Sequence, residues 1–274
     1  MTKVIWITGA SSGFGMAVAM KLLKDTDHVI CVSARRAHLL EVLVRQGAKA
    51  YPFDITKTAE IERVQRTIEK ELGPVDAVLV NAGFGVYGPI EEVPEEAIRR
   101  QFEVNVFGAV ETIRAVLPSM RSQKAGRIVL TSSSAAHVSS AGMGYYAATK
   151  HSIKAIGTAL RQEVGNLGID VVMVEPGVVK TAFGQIAMDE NYMAPKTPDY
   201  QAQMRDLKTF MLKAFERAPD VDHTRDIMVK ALLKEHVSPV YRTTRGSFAL
   251  GFLSRMFPAK IYDAIVKQAI GRLY

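Results

Sequence analysis

The chain has 274 residues, 48% hydrophobic and 23% charged, with a formal net charge of +7; that suits one globular domain and excludes a disordered or fibrous chain. Its one cysteine, Cys31, excludes an intrachain disulfide, and six scattered histidines show no ligand spacing, so no metal is expected. The charge is uneven: Met1 to Met204 carries 22 basic and 21 acidic residues, and Arg205 to Tyr274 carries 13 and 7, a net of +6. No recognised nucleic-acid module accompanies that charge, so a nucleic-acid partner is not expected. A solvated surface or an acidic membrane surface would account for it.

The first apolar run, Val4–Ile7, is too short for a secretory segment, and no run reaches the ~18 residues of a membrane span. A cytoplasmic setting is expected. Val4–Ile7 reads as a strand and Phe14–Lys24 as a helix. Between them lies Thr8-Gly9-Ala10-Ser11-Ser12-Gly13-Phe14-Gly15, a Gly-x-x-x-Gly-x-Gly turn. Glycines permit a tight turn and close approach to a pyrophosphate, and the helix N-terminus offers N–H donors. Taken alone, a glycine turn also simply joins a strand to a helix.

Val29–Ser33 is the second strand, followed by Ala34-Arg35-Arg36 and a helix over Leu39–Gln46. A site for NAD usually places an acid here for the ribose 2′-hydroxyl. Two guanidinium groups instead suit a 2′-phosphate, and so NADP(H). The bland alternative is a pair of solvated arginines. Strands over Lys49–Phe53, Ala77–Val80, Arg127–Leu130, Asp170–Val174 and Pro239–Tyr241 alternate with helices over Ala59–Leu72, Glu95–Met120 and Tyr146–Asn166. Several strands are apolar on successive residues, which marks burial on both faces. The expected fold is therefore α/β: one doubly wound parallel sheet of about seven strands with helices on both faces, over residues 1–274 as a single domain.

Thr131-Ser132-Ser133-Ser134 ends the fifth strand, where hydroxyls can polarise a bound carbonyl; serines also commonly end strands, and chemistry alone does not choose among them. Tyr146-x-x-x-Lys150 puts a phenol and an ammonium on one helix face. Lowering a tyrosine pKa from ~10 to ~7 requires about 4 kcal/mol, which a lysine and an oxidised nicotinamide would supply together. Tyr145 has Thr149 four residues on, so the register selects Tyr146.

In this order the motifs resemble the short-chain dehydrogenase/reductase family, over roughly Lys3 to Tyr241. The matching pieces are Gly9, Gly13 and Gly15; Asp54; Asn81-Ala82-Gly83; Asn105; a serine; Tyr146 and Lys150; and Pro176-Gly177 followed by Thr181. The family's serine stands 13 positions before its tyrosine, which selects Ser133. The resemblance implies that Tyr146 exchanges a proton with the substrate oxygen and Ser133 hydrogen-bonds that oxygen. Lys150 would hold the nicotinamide ribose and lower the Tyr146 pKa, with Asn105 holding a water in a relay to Lys150. Ser11, Ser12 and Phe14 would join the three glycines around the pyrophosphate, and Arg35 and Arg36 would meet the 2′-phosphate. Asp54 and Ile55 would meet the adenine, Asn81, Ala82 and Gly83 the adenosine side, and Pro176, Gly177, Val179 and Thr181 the carboxamide. A looser likeness, carried by Asn81-Ala82-Gly83-Phe84-Gly85 and the long C-terminus, is to the hydroxysteroid and retinol dehydrogenase branch. The family also implies a homodimer or homotetramer.

Residues 178–220 read as a substrate lid. Phe183, Ile186, Met188, Tyr192, Met193, Met204, Phe210, Met211 and Phe215 make either adaptable apolar walls for a lipophilic alcohol or ketone, or ordinary core or subunit interface. Residues 245–274 read as a basic amphipathic extension. Ile261, Ile265, Ala269 and Leu273 form one ridge of a helix from Lys260, and Tyr262, Val266, Ile270 and Tyr274 another; Phe248, Phe252, Leu253, Met256 and Phe257 precede them. Folding onto the chain's own lid is the favoured cover, ahead of a second subunit and a lipid surface. The expected activity is NADP(H)-dependent hydride transfer; the alternative is a non-catalytic NADP(H) sensor.

Overall fold

The computed structural model describes residues 2–244 and 257–270. Seven strands form one parallel sheet in the order β3-β2-β1-β4-β5-β6-β7. They are β1 (Val4–Thr8), β2 (Val29–Ser33), β3 (Lys49–Ala50), β4 (Ala77–Val80), β5 (Gly126–Thr131), β6 (Ile169–Glu175) and β7 (Val240–Arg242). Every residue of β1 is buried, because its side chains serve two cores in alternation. Trp6 packs with Phe53, Ile61, Val116 and Ile153 on one face, while Ile5 and Ile7 pack with Val18, Leu22, Val129 and Met228 on the other.

The first face is covered by α3 (Thr58–Leu72), α5 (Gly108–Gln123) and α6 (Gly144–Val164), and the second by α1 (Gly13–Asp25), α2 (Glu41–Val44) and α9 (Asp222–Leu233). The remaining helices are α4 (Glu95–Phe102), α7 (Ala182–Asp189), α8 (Pro198–Glu216) and α10 (Ala259–Ile270). Strand order reverses between β1 and β4, so a crevice opens beyond their carboxyl ends.

Three sequence expectations change in detail. The third strand pairs over Lys49–Ala50 only, rather than to Phe53. The helix expected over Glu95–Met120 is interrupted by a π turn at Glu103–Phe107, between α4 and α5. The stretch expected as the helix Leu39–Gln46 is a 3₁₀ turn, Ala37–Leu40, running into the four residues of α2.

The segment read as a lid folds as α7 and α8 around a small core of its own. Met188, Met204, Leu207 and Met211 are buried there against Tyr87. An isolated one-residue parallel bridge, Tyr87 to Tyr192, ties it to the loop after β4; in it the Tyr87 N–H donates to Asn191 O at 3.0 Å and the Met193 N–H to Tyr87 O at 2.7 Å. Glu92 accepts the N–H groups of Lys196 and Thr197, both at 2.8 Å, which fixes the entry to α8.

Helix α10 packs against α8, and the Tyr262 hydroxyl accepts the Ser139 N–H at 3.2 Å. Tyr262 and Ile265 are half-buried, whereas Ile261 stays exposed. Phe248, Phe252, Leu253, Met256, Leu273 and Tyr274, which the sequence placed on the apolar surface of the tail, lie outside the described residues. No helix among the described residues is long and apolar enough to cross a membrane.

Candidate active site

The crevice is a cleft of about 430 Å³. One end is lined by Ser11, Ser12, Gly13, Phe14, Arg35 and Arg36, with Asp54 and Ile55 beside them. Gly9 at φ +67° and Gly13 at φ +55° turn the chain from β1 into α1 through left-handed backbone. Gly9 also has no room for a side chain: a methyl group there would lie 2.7 Å from Ala82 Cα. Helix α1 begins with no acid in its first turn and with no side-chain bond from its N-cap, Ser12. The turn is thus a backbone cradle at a positive helix end, which fits a pyrophosphate. Gly15 packs beneath it, against Gly9 O and Asn81.

Arg35 and Arg36 are exposed at the cleft rim, and Arg36 Nη2 reaches Ser11 Oγ at 3.5 Å. Asp54 closes a local turn instead, its Oδ1 accepting the Thr56 N–H at 3.1 Å and hydroxyl at 2.9 Å. Asn81 ties three strand ends together: its Nδ2 donates to Thr8 O and Gly9 O, and its Oδ1 accepts the Thr131 hydroxyl. Ala82 and Gly83 line the cleft beside it, and Pro176, Gly177, Val179 and Thr181 line the opposite side.

In the middle of the cleft stand Ser133, Tyr146 and Lys150. Ser133 caps a short 3₁₀ turn, Ser134–Ala136, and its Oγ accepts the Ala135 N–H at 3.1 Å. That leaves the Ser133 hydroxyl proton to donate elsewhere. Tyr146 is 8% exposed; burial pushes its phenol up to about 12, against the downward pull of its hydrogen bond with Ser133. Lys150 is 6% exposed, and burial pushes its ammonium down to about 8. Its Nζ donates to Thr131 O at 2.9 Å and lies 5.9 Å from the centre of the Tyr146 ring. In the protein alone, burial outweighs the Ser133 hydrogen bond at Tyr146; the expected depression is a joint effect of the lysine and an oxidised nicotinamide.

Asn105 sits in the π turn behind this group. Its Oδ1 accepts the Phe84 N–H at 2.9 Å, and its Nδ2 donates to Phe84 O at 2.8 Å and to Thr149 Oγ1 at 3.1 Å. Both amide hydrogens and one lone pair of Oδ1 are engaged, and the side chain holds the loop after β4 against α6. Interrupted helical ladders recur where a side chain must be re-aimed in this way.

Beyond Tyr146 the walls become apolar: Met143, Phe183, Ile186, Met211 and Phe215 line the cleft. Phe183, Ile186, Met211 and Phe215 form walls, while Met188 and Met204 are lid core.

Sequence reasoning missed two features. Tyr87, buried between the lid core and the cleft, carries no periodic or motif signal. A buried polar network also escaped notice. Glu175, 1% exposed at the end of β6, meets His137 Nε2 at 2.7 Å and Arg242 Nε at 3.2 Å. Lys154 Nζ lies 2.9 Å from His137 Nδ1. An ammonium can only donate, so Nδ1 accepts and Nε2–H donates to the carboxylate. Burial holds the His137 pKa down despite Glu175, which agrees with a neutral imidazole. The network fastens the Ser133 turn to the ends of β6 and β7. Lys154 follows Lys150 by one helical turn, but nothing local shows that Glu175 would face it.

The family model for short chain dehydrogenase matches residues 3–191. The chain belongs to the short-chain dehydrogenase/reductase family. It is 30% identical to the uncharacterized oxidoreductase YbbO of Escherichia coli (strain K12), over 97% of this chain and 95% of that protein. A short-chain dehydrogenase from Streptomyces avermitilis superposes with a TM-score of 0.82 at 27% identity, covering 99% of this chain and 97% of the other. A family member from Burkholderia phymatum, solved with NAD, superposes with a TM-score of 0.79 at 24% identity over 92% of each chain; at that identity the likeness is one of fold. Membership makes the protein an oxidoreductase with a nicotinamide cofactor. Among the described residues no cluster of three or more His, Cys, Asp or Glu is placed to hold a metal.

Proposed function

We propose that the protein is an NADP(H)-dependent oxidoreductase acting on a lipophilic alcohol or ketone, with Tyr146 as its acid and base. One observation carries the reading: a single cleft runs from Arg35 and Arg36, past Ser133, Tyr146 and Lys150, to a wall of methionine and aromatic side chains.

The rim guanidiniums suit a 2′-phosphate, since the end of β2 offers no acid to accept a ribose hydroxyl. The Gly9–Gly13 turn and the α1 N-terminus would bind the pyrophosphate, and Lys150 the nicotinamide ribose. When bound, the nicotinamide supplies or accepts the hydride. In reduction, the Ser133 hydroxyl donates a hydrogen bond to the carbonyl oxygen and holds it beside Tyr146. The Tyr146 hydroxyl then passes its proton to that oxygen, and Lys150 stabilises the phenolate left behind. In oxidation, the phenolate takes the alcohol proton.

Asn105 positions rather than reacts: it pins Phe84 beside Gly83, close to Lys150. The hydroxysteroid and retinol branch is part of this proposal only through the apolar wall, and a homodimer or homotetramer through family membership. A non-catalytic sensor would leave the Ser133–Tyr146 hydrogen bond without a use.

The test is a steady-state screen of medium-chain ketones, aldehydes, steroids and retinoids with NADPH and with NADH. The expected result is turnover of apolar ketones with NADPH favoured over NADH. Equal use of both cofactors would refute the reading of Arg35 and Arg36, and a preference for small hydrophilic substrates would refute that of the wall.

A further inference from the structure

We propose that Tyr87 determines substrate specificity: its hydroxyl takes a second oxygen of the substrate, on a carbon one or two removed from the reacting carbonyl. The substrate class is then an apolar chain bearing a hydroxyketone, a diketone or a related 1,2- or 1,3-dioxygenated group. The inference rests on the reading of this cleft as a carbonyl–alcohol redox site.

Tyr87 is 1% exposed, and its ring is packed among Met188, Met204 and Met211 of the lid. No described residue hydrogen-bonds its hydroxyl. A phenylalanine would fill the same space, so packing does not require this hydroxyl. The residue also lines the cleft. Its ring centre lies 5.9 Å from that of Tyr146, and the Phe183 ring lies 5.7 Å from Tyr146, so both rings stand beside Tyr146.

The phenol is held in place at both ends. Its backbone forms the bridge to Tyr192, with both Tyr87 N–H and C=O bonded to lid residues. Its tip lies over Gly85, where a methyl group would come within 2.8 Å of Cε2 and 2.9 Å of the hydroxyl oxygen. Gly85 therefore leaves the room in which this hydroxyl sits. The neighbouring wall, Met143, Phe183, Ile186 and Met211, offers no side-chain N–H or O–H group. Arg100, Glu190 and Asn191 also line the cleft, and a phenol beside the apolar wall fixes orientation, as sparse polar groups do in apolar pockets. Burial and the Tyr146 hydroxyl nearby both raise the Tyr87 pKa well above its ordinary value. It therefore stays a neutral phenol at working pH and can donate to a carbonyl or accept from a hydroxyl.

The experiment compares wild type with Tyr87→Phe on three ketones of one chain length: 2-octanone, 3-hydroxy-2-octanone and 2,3-octanedione, each with NADPH. Both enzymes meet the same intrinsic reactivity of each ketone, so the change in preference between them isolates the contact. Wild type should favour the dioxygenated ketones in kcat/KM, and Tyr87→Phe should lose about tenfold of that preference. Its NADPH affinity and its Tm should be unchanged, which a merely structural role for the hydroxyl does not predict. If Tyr87→Phe keeps the wild-type preference, or if wild type does not distinguish the ketones, the proposal is overturned. Failure of the underlying reading is a different result: none of the three ketones turns over with either cofactor, and the proposal falls with it.

Discussion

Replacing Lys150 with methionine should stabilise the protein while abolishing its activity. The lysine is 6% exposed, and burial lowers its pKa from an ordinary 10.5 to about 8. A difference of about 2.5 pH units corresponds to about 3 kcal/mol of destabilisation by the buried ammonium. Against this stands its hydrogen bond to Thr131 O at 2.9 Å, worth about 1 kcal/mol. Lys150→Met removes both and keeps the side-chain volume, so the net gain at pH 7 should be about 2 kcal/mol. In a chain of this size that raises Tm by about 4–8 °C.

The pH dependence makes the test specific. Below pH 8 lysine is protonated in both folded and unfolded chains, and the full cost is present. Between about pH 8 and 10.5 the unfolded chain binds more protons than the folded one, so wild-type stability rises with pH. Tyr146 acts in the opposite sense, but only above its ordinary value of 10: the unfolded chain then loses the phenol proton before the folded chain does, and stability falls. Urea denaturation of both proteins at pH 7 and pH 9.5, without added nucleotide, reads the window between. The Lys150→Met advantage should shrink by about 2 kcal/mol across that interval. A variant less stable than wild type at pH 7, or an advantage equal at both pH values, would refute the argument.

Four further outcomes are expected. Gly9→Ala combines a positive φ with a contact 2.7 Å from Ala82 Cα, and should cost about 1–3 kcal/mol in stability and weaken NADPH binding, as isothermal titration would show. Tyr146→Phe should reduce kcat by more than about tenfold with NADPH affinity unchanged; a residual rate above a tenth of wild type points to another acid. Arg35→Asp should reverse the preference for NADPH over NADH, since a carboxylate repels the phosphate and accepts from the ribose hydroxyl; dissociation constants for both nucleotides decide it. Glu175→Ala should cost about 1–3 kcal/mol by leaving the buried His137 Nε2–H without its acceptor. It should also lower kcat more than it changes NADPH affinity, because the Ser133 turn loses its anchor.

The parts of the protein legible from the chain alone are those written in short, contiguous patterns. Doubly buried strands such as Val4–Thr8 appear as unbroken apolar runs. The glycine turn and the Tyr146–Lys150 pair each lie within eight residues. The choice of Ser133 came from a fixed distance to Tyr146 rather than from its chemistry, and the structure puts that residue in contact with the phenol. Tertiary structure decided whatever depends on residues distant in the chain. The break in the expected helix at Glu103–Phe107 accompanies Asn105 bonding to Phe84, 21 positions away. The direction of the Tyr146 shift in the protein alone is set by burial, which spacing in the sequence does not give. Tyr87 meets the cleft only because Asn191 and Met193 pair with its backbone. Glu175 meets His137 across 38 residues, and that contact exists because parallel strands bring their carboxyl ends to one edge of the sheet.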